Sequence, residues 1–287
     1  MRFPRIGLGC VTFGREIDEA ASFAIMDHAV ERGITLFDTA EAYGQGASER
    51  VVGRWMESRS TRDRILLVTK VLTNHKAQHV REALDASLER LRTDTVDIYM
   101  FHSCDRNTPF EESGTAIAEA VASGKARLAG CSNYSADQLR AASRFARFTT
   151  TQCNYNLCVR DAEAGLFELC RDEGIHILTY SPLGAGFLAG KYSPKGVFPA
   201  GTRFDIIPGH ADIYFSERNF TIASRLQAMS ARLGIPVVKL AMAWVFRNPL
   251  VGTVLVGARS TAHLDNALDA AAMPFAAEWA TEMESWG

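Results

Sequence analysis

Three features of the sequence predict an α/β chain that closes as a single-domain (β/α)8 TIM barrel over residues 1–287. Eight short apolar segments begin near Ile6, Ile34, Ile65, Thr95, Arg127, Thr149, Ile175 and Thr253, and amphipathic segments separate them. These segments are apolar throughout rather than alternating, the pattern of parallel strands buried on both faces. A length of 287 residues suits one such barrel, and neither a composition shift nor a residue-level repeat marks an internal boundary.

In chain order, Ile6-Gly7-Leu8-Gly9 is the first strand, followed by a turn at Gly14. Asp18 is a predicted N-cap for a helix over Glu19–Arg32, with Phe23, Ile25, Met26, Ala29 and Val30 on its apolar face, and Gly33 ends it. Strand Ile34–Phe37 delivers Asp38, and Ser48 is expected to cap a helix from Glu49 to about Met56. Strand Ile65–Thr69 ends on Lys70. A helix over Gln78–Leu91, with Val80, Ala83, Leu84, Ser87, Leu88 and Leu91 at helical spacing, leads to strand Thr95–Phe101 and His102. Helix Glu111–Ser123 stops at Gly124; strand Arg127–Cys131 ends on Ser132-Asn133-Tyr134. Helix Ala136–Ala146 precedes strand Thr149–Cys153, which carries Gln152, and helix Ala162–Glu173 precedes strand Ile175–Thr179, which ends on Tyr180-Ser181-Pro182. The Gly- and Pro-rich segment Leu183–Ser216 has no periodicity, and a loop of that length in a compact protein is usually a lid or binding loop. Helices Glu217–Leu233 and Val237–Arg247, strand Thr253–Val256, a helix over Thr261–Ala271 and an outer helix within Pro274–Trp286 complete the chain.

Composition narrows the function. Hydrophobic content of 47% and charged content of 22% describe a globular protein with a substantial core, and a formal charge of -2 without a dense basic run gives no sign of a nucleic-acid or anionic-membrane partner. The six cysteines, Cys10, Cys104, Cys131, Cys153, Cys158 and Cys170, form no C-x-x-C pair and read as reduced thiols. A zinc site on Cys153 and Cys158 is disfavoured because no matching Cys/His pair follows, so no metal is expected. The start MRFPRIGLGC carries no signal-peptide pattern and no apolar run is long enough to span a bilayer, so a cytoplasmic location is expected.

In a barrel all strand exits share one rim, which brings Asp38, Tyr43, Lys70 and His102 together. Each alone has a plain alternative: Asp38 as a helix cap, Tyr43 as loop packing, Lys70 as a surface lysine, His102 as a satisfied loop histidine. Four at consecutive exits suit proton transfer to a polarised oxygen. A phenol beside an ammonium is expected to have its pKa lowered, provided a carboxylate such as Asp38 holds the ammonium, and His102 adds a hydrogen bond at the reacting oxygen.

The strings D-T-A-x-x-Y-G, V-T-K and I-Y-x-x-H-S resemble the aldo-keto reductases. The likeness runs over nearly the whole chain, through G-L-G-C-V-T-F-G, C-S-N-Y, T-Q-C-N-Y-N-L, Y-S-P-L-G-A-G-F-L-A-G-K-Y and V-G-A-R-S. The resemblance implies a reductase that interconverts a carbonyl and an alcohol by hydride transfer, with NADP(H) as cofactor and NAD(H) not excluded. It implies Tyr43 as general acid and base, Lys70 and Asp38 as its tuning pair and His102 as the group orienting the carbonyl. It places Ser132, Asn133 and Gln152 on the nicotinamide carboxamide and Tyr180 against the ring. Ser181, Leu183, Gly184, Gly186 and Lys191 would grip the pyrophosphate, and Arg259 and Ser260 the 2′-phosphate. Arg203, in the long loop, is a weaker cofactor candidate, read more readily as a solvated loop arginine.

The sequence departs from the family at His263, Asn266 and Ala267, where Gln, Glu and Asn usually surround the adenine; His263 is kept as a cofactor candidate. The hairpin that commonly plugs the barrel bottom is reduced to Met1–Arg5. Val11 replaces a large aromatic at the pocket wall, so Phe13, Cys104, Tyr134 and residues near Phe204 are expected to line the substrate side. A different barrel enzyme would want paired carboxylates, a metal cluster or a Schiff-base lysine. A Rossmann dehydrogenase fails because Thr12 stands where G-x-G-x-x-G needs its third glycine. The non-enzymatic alternative is a nicotinamide-binding subunit that senses redox state with little turnover.

Overall fold

The computed structural model describes residues 2–194 and 198–286. Met1, in the expected N-terminal remnant, and residues 195–197, in the expected long loop, lie outside the described residues. Eight parallel strands close into a barrel in chain order: β1 Ile6–Gly9, β2 Leu36–Asp38, β3 Leu66–Val71, β4 Val96–Phe101, β5 Ala126–Ser132, β6 Phe148–Asn154, β7 His176–Tyr180 and β8 Thr253–Gly257, with β8 returning to pair with β1. Around it run α1 Glu19–Glu31, α2 Ala47–Arg59, α3 Ala77–Leu91, α4 Phe110–Ala122, α5 Ala136–Ala142, α6 Leu166–Glu173, α7 Arg203–Ile206, α8 Ala211–Tyr214, α9 Glu217–Leu233, α10 Val237–Phe246, α11 Thr261–Ala272 and α12 Ala277–Glu284. The expected (β/α)8 architecture is therefore the observed one, including the long segment after β7 and the extra helices at the C-terminal end. Among the described residues no single helix is long and apolar enough to cross a membrane.

Pleating divides the apolar residues into two sets. Leu36, Val68, Ile98, Met100, Leu178 and Leu255 fill the barrel interior, while alternate residues such as Leu8, Phe37, Leu67 and Tyr99 pack outward under the helices. Gly7 is needed at close range: a methyl there would lie 2.7 Å from Leu255 and 2.9 Å from Leu36. Phe3 closes the bottom of the barrel, stacked on His176 with ring centroids 4.0 Å apart.

The helix termini hold the main local corrections. Asp18 caps α1 as expected, accepting from the Ala21 amide at 2.8 Å. Ser48 is not the cap of α2; that helix starts earlier, from Gly46 at φ 80°, a left-handed backbone that glycine adopts without strain. In α5 a capping box of Ser135 and Gln138 starts the helix, which stops at Ala142 rather than Ala146. The segment before α6 is a 3-10 turn, Asp161–Glu163, and the segment after β7 is partly helical, which its many glycines and prolines hide from periodicity.

Burial holds His75 and His176 neutral, each with its pKa pushed down to about 4. Below the unfolded value near 6.5 the unfolded chain takes up protons that the native state refuses. Stability is therefore expected to fall as pH drops from about 6.5 towards 4, by at most about 1.4 kcal/mol per pH unit for each histidine. Urea unfolding at pH 7 and pH 5 measures the loss; equal midpoints would contradict it.

Candidate active site

The pleat that packs the barrel also places the polar groups at its mouth. At six strands the last interior residue is followed two positions later, on the same face, by a polar side chain at the strand exit: Leu36 by Asp38, Val68 by Lys70, Met100 by His102, Gly130 by Ser132, Thr150 by Gln152 and Leu178 by Tyr180. The packing that fills the interior thus orients six groups into one cavity of about 650 Å³, lined by all of them except the fully buried Lys70.

Lys70 carries its charge at the bottom of this site. Its Nζ lies 2.7 Å from the Asp38 carboxylate, 3.0 Å from the Thr39 carbonyl and 3.1 Å from the Tyr43 hydroxyl, so three donors meet three acceptors. Burial opposes the ammonium, but Asp38 and Tyr43 outweigh it and hold the Lys70 pKa above its ordinary value. For the Tyr43 phenol burial dominates, with Lys70 pulling the other way, and the net shift is upward. The expected lowering is thus reversed, because enclosure costs the phenolate more than the lysine returns. His102 sits edge-on to the Tyr43 ring at 5.5 Å; burial and the Lys70 charge push its pKa down to about 3, so the imidazole is neutral and able to donate.

Beside this group stands a donor and acceptor set that matches a primary carboxamide. Gln152 Nε2 donates to Asp38 at 2.8 Å, which leaves its carbonyl oxygen for an incoming N–H. Asn133, left-handed at φ 59°, donates to the His102 carbonyl and to Ser132 Oγ and accepts from the Tyr180 hydroxyl at 2.8 Å. The Ser132 hydroxyl proton is then free for a carbonyl oxygen.

The opposite end is cationic. Lys191 and Arg259 both line the cavity, and burial together with Arg259 lowers the Lys191 pKa. The Arg259 amide donates to His263 Nδ1 at 3.2 Å, and Asn266 lies on the same wall. Between the two ends the chain turns left-handed at Ser181, Gly184, Ala185 and Gly186, a strained run that brings backbone against the cavity. Ser181, Leu183 and Gly186 line it. Gly184 does not: a methyl there would lie 2.9 Å from Tyr214, on the far side, and its amide is spent on the Ser181 carbonyl. Ser260 stands at the head of α11 outside the lining. The set as a whole fits a nicotinamide dinucleotide: carboxamide partners at one end, a tyrosine ring beside them and two cations at the other.

The substrate side matches the expectation only in part. Phe13 and Phe204 are fully buried in the core and Tyr134 nearly so, and neither they nor Cys104 line the cavity. Val11 and residues near Phe204, namely Arg203, Ile207 and His210, do line it as expected, and Thr12 and Arg15 join them. Arg203 is half-buried on the cavity wall, where it bonds Glu16 at 2.6 Å and so ties the segment after β7 to the turn after β1. Glu16 is not legible in the sequence, because its partner is distant and no motif marks it.

The chain matches the profile of the Aldo/keto reductase family over residues 5–286. It is 32% identical to the uncharacterized oxidoreductase YrpG of Bacillus subtilis, covering 94% of this chain and 88% of that one. It is 31% identical to the aldo-keto reductase yakc [NADP(+)] of Schizosaccharomyces pombe, covering 87% and 80%. Its fold is also that of a glycerol dehydrogenase from Gluconobacter oxydans, with a TM-score of 0.84 at 24% identity over 99% of this chain and 91% of that one. A closed eight-stranded barrel with polar groups converging at its mouth, matched by a family profile over nearly its whole length, makes this chain a member of the Aldo/keto reductase family, an oxidoreductase acting between carbonyls and alcohols.

Proposed function

We propose that the chain works as one domain that reduces a small aldehyde, ketone or sugar-like carbonyl with NADPH, Tyr43 serving as the proton donor. The observation that carries this reading is the Lys70 ammonium, held by Asp38 at 2.7 Å and set 3.1 Å from the Tyr43 hydroxyl at the edge of an open cavity. A phenol kept protonated by burial is an acid at neutral pH, and the fixed ammonium stabilises the phenolate left when the proton goes to the carbonyl oxygen. The neutral His102 donates a second hydrogen bond to that oxygen and orients it. In the alcohol-to-carbonyl direction the same phenolate is the base.

Ser132, Asn133 and Gln152 hold the carboxamide, and Tyr180 supports the ring. Bound there, the reduced nicotinamide supplies the hydride. Ser181, Leu183, Gly186 and Lys191 flank the pyrophosphate path, with Gly184 and Ser260 shaping the turn and the helix head behind it. Arg259, Lys191 and His263 favour a 2′-phosphate, which supports NADP(H) over NAD(H), as does the NADP(+) in the name of the yeast relative.

Fluorescence titration with NADPH and NADH tests this. Arg259→Ala is expected to weaken NADPH binding by about 10- to 100-fold, the loss of one charge-assisted contact, and to leave NADH binding nearly unchanged. Equal weakening of both would remove Arg259 from the 2′-phosphate.

A further inference from the structure

Ser48 reads as a helix cap in the sequence, yet it stands inside the first turn of α2, fully buried, with its side chain turned away from the helix amides. Its hydroxyl donates to the Cys10 carbonyl at 2.8 Å. A carbonyl cannot donate, and a hydroxyl has one proton, so the 2.8 Å contact between Ser48 Oγ and Thr39 Oγ1 has Thr39 as its donor. The order is therefore Thr39 hydroxyl to Ser48 hydroxyl to Cys10 carbonyl. Each end of this chain touches the reacting group. Thr39 offers its carbonyl to Lys70 Nζ at 3.0 Å, and the Cys10 amide donates to the Asp38 carbonyl at 2.9 Å. The Ser48 amide in turn donates to the Tyr43 carbonyl at 3.2 Å.

Ser48 thus grips both ends of the segment that carries Asp38, Thr39 and Tyr43. That segment needs a grip, because Gly44, Gln45 and Gly46 follow Tyr43 in left-handed backbone and give it little stiffness of their own. We propose that the buried Thr39–Ser48 hydroxyl pair positions Tyr43 and Lys70 for proton transfer, making Ser48 and the Thr39 side chain positioning residues of the reaction. The inference rests on the roles of Tyr43 and Lys70 proposed above.

In Ser48→Ala the helix-side amide bond survives while the Thr39 donor loses its partner and the Cys10 carbonyl is left with the Phe13 amide alone. A displaced lysine supports the phenolate less. The expected result in carbonyl reduction is a kcat about tenfold lower, an alkaline limb of kcat moved up by about half a pH unit, and an NADPH Kd within about twofold of the wild type. Thr39→Val is expected to move the limb in the same way, and Thr39→Ser, which keeps the hydroxyl, to restore it. None of these changes removes a titratable group facing the phenol; those groups are Lys70, Asp38, Cys10, His102, Tyr180 and Arg203. A Ser48→Ala protein with wild-type kcat and alkaline limb, whatever its melting temperature, overturns the proposal. Should that variant not fold, Thr39→Val decides by the same two readings. If Tyr43→Phe leaves both kcat and the limb intact, the limb does not belong to Tyr43, and it is the parent reading that has failed.

Discussion

Tyr43→Phe is expected to lower carbonyl reduction by about 10³-fold in kcat while NADPH binds within about twofold of wild type. The substitution removes one oxygen and leaves the ring, which stands edge-on to His102 and under the Lys70 ammonium, in place. What disappears is the only hydroxyl in contact with Lys70 among the described residues; the Asp38 carboxylate beside it is occupied in accepting from Lys70 and Gln152. His102 cannot substitute, because burial and Lys70 hold its pKa down to about 3 and leave it no proton to give up at neutral pH beyond a hydrogen bond. The check is steady-state kinetics with a short aldehyde alongside nucleotide titration. A loss smaller than about tenfold would remove Tyr43 from the acid role.

Lys70→Met is expected to damage both activity and stability. Methionine fills much of the same volume, but it leaves the Asp38 carboxylate buried with only the Gln152 amide as a side-chain partner. Removing one member of a buried ion pair costs about 3–5 kcal/mol, so the melting temperature should fall by several degrees. Turnover should fall by about 10²-fold or more, since an unaided phenolate in this enclosed site is costly. Asp38→Asn in the Lys70→Met background should recover part of the stability, because the orphan charge is gone, and none of the turnover. Recovery of turnover in the double variant would show that Lys70 acts only by neutralising Asp38.

The strands were legible because burial on both faces leaves a continuous apolar run, and the exits were legible because chemistry sits where such a run stops. The same logic explains the exact phase: Asp38 follows Leu36, and Lys70 follows Val68, on the interior face. Pairing across distant turns was not legible. Arg203 looked solvated because nothing in a loop sequence announces Glu16 as its partner. Phe13 looked like a pocket wall from its nearness to Val11, but its ring turns into the core while Val11 faces the cavity. Ser48 looked like a cap because serine before a helix usually is one, and only the backbone shows that Gly46 had already begun α2. The Tyr43 shift runs against the expectation for a related reason: a motif names the lysine beside the phenol but carries no measure of enclosure.

The most direct test of the account is a product analysis: purified protein, NADPH and a panel of small aldehydes and ketones, with nucleotide consumption followed by absorbance and the alcohol quantified. The account predicts one alcohol formed per NADPH consumed for at least one carbonyl, with NADH a poorer donor and Tyr43→Phe nearly inert. Tight NADPH binding without consumption across the panel would contradict it and turn the cavity into a nucleotide sensor.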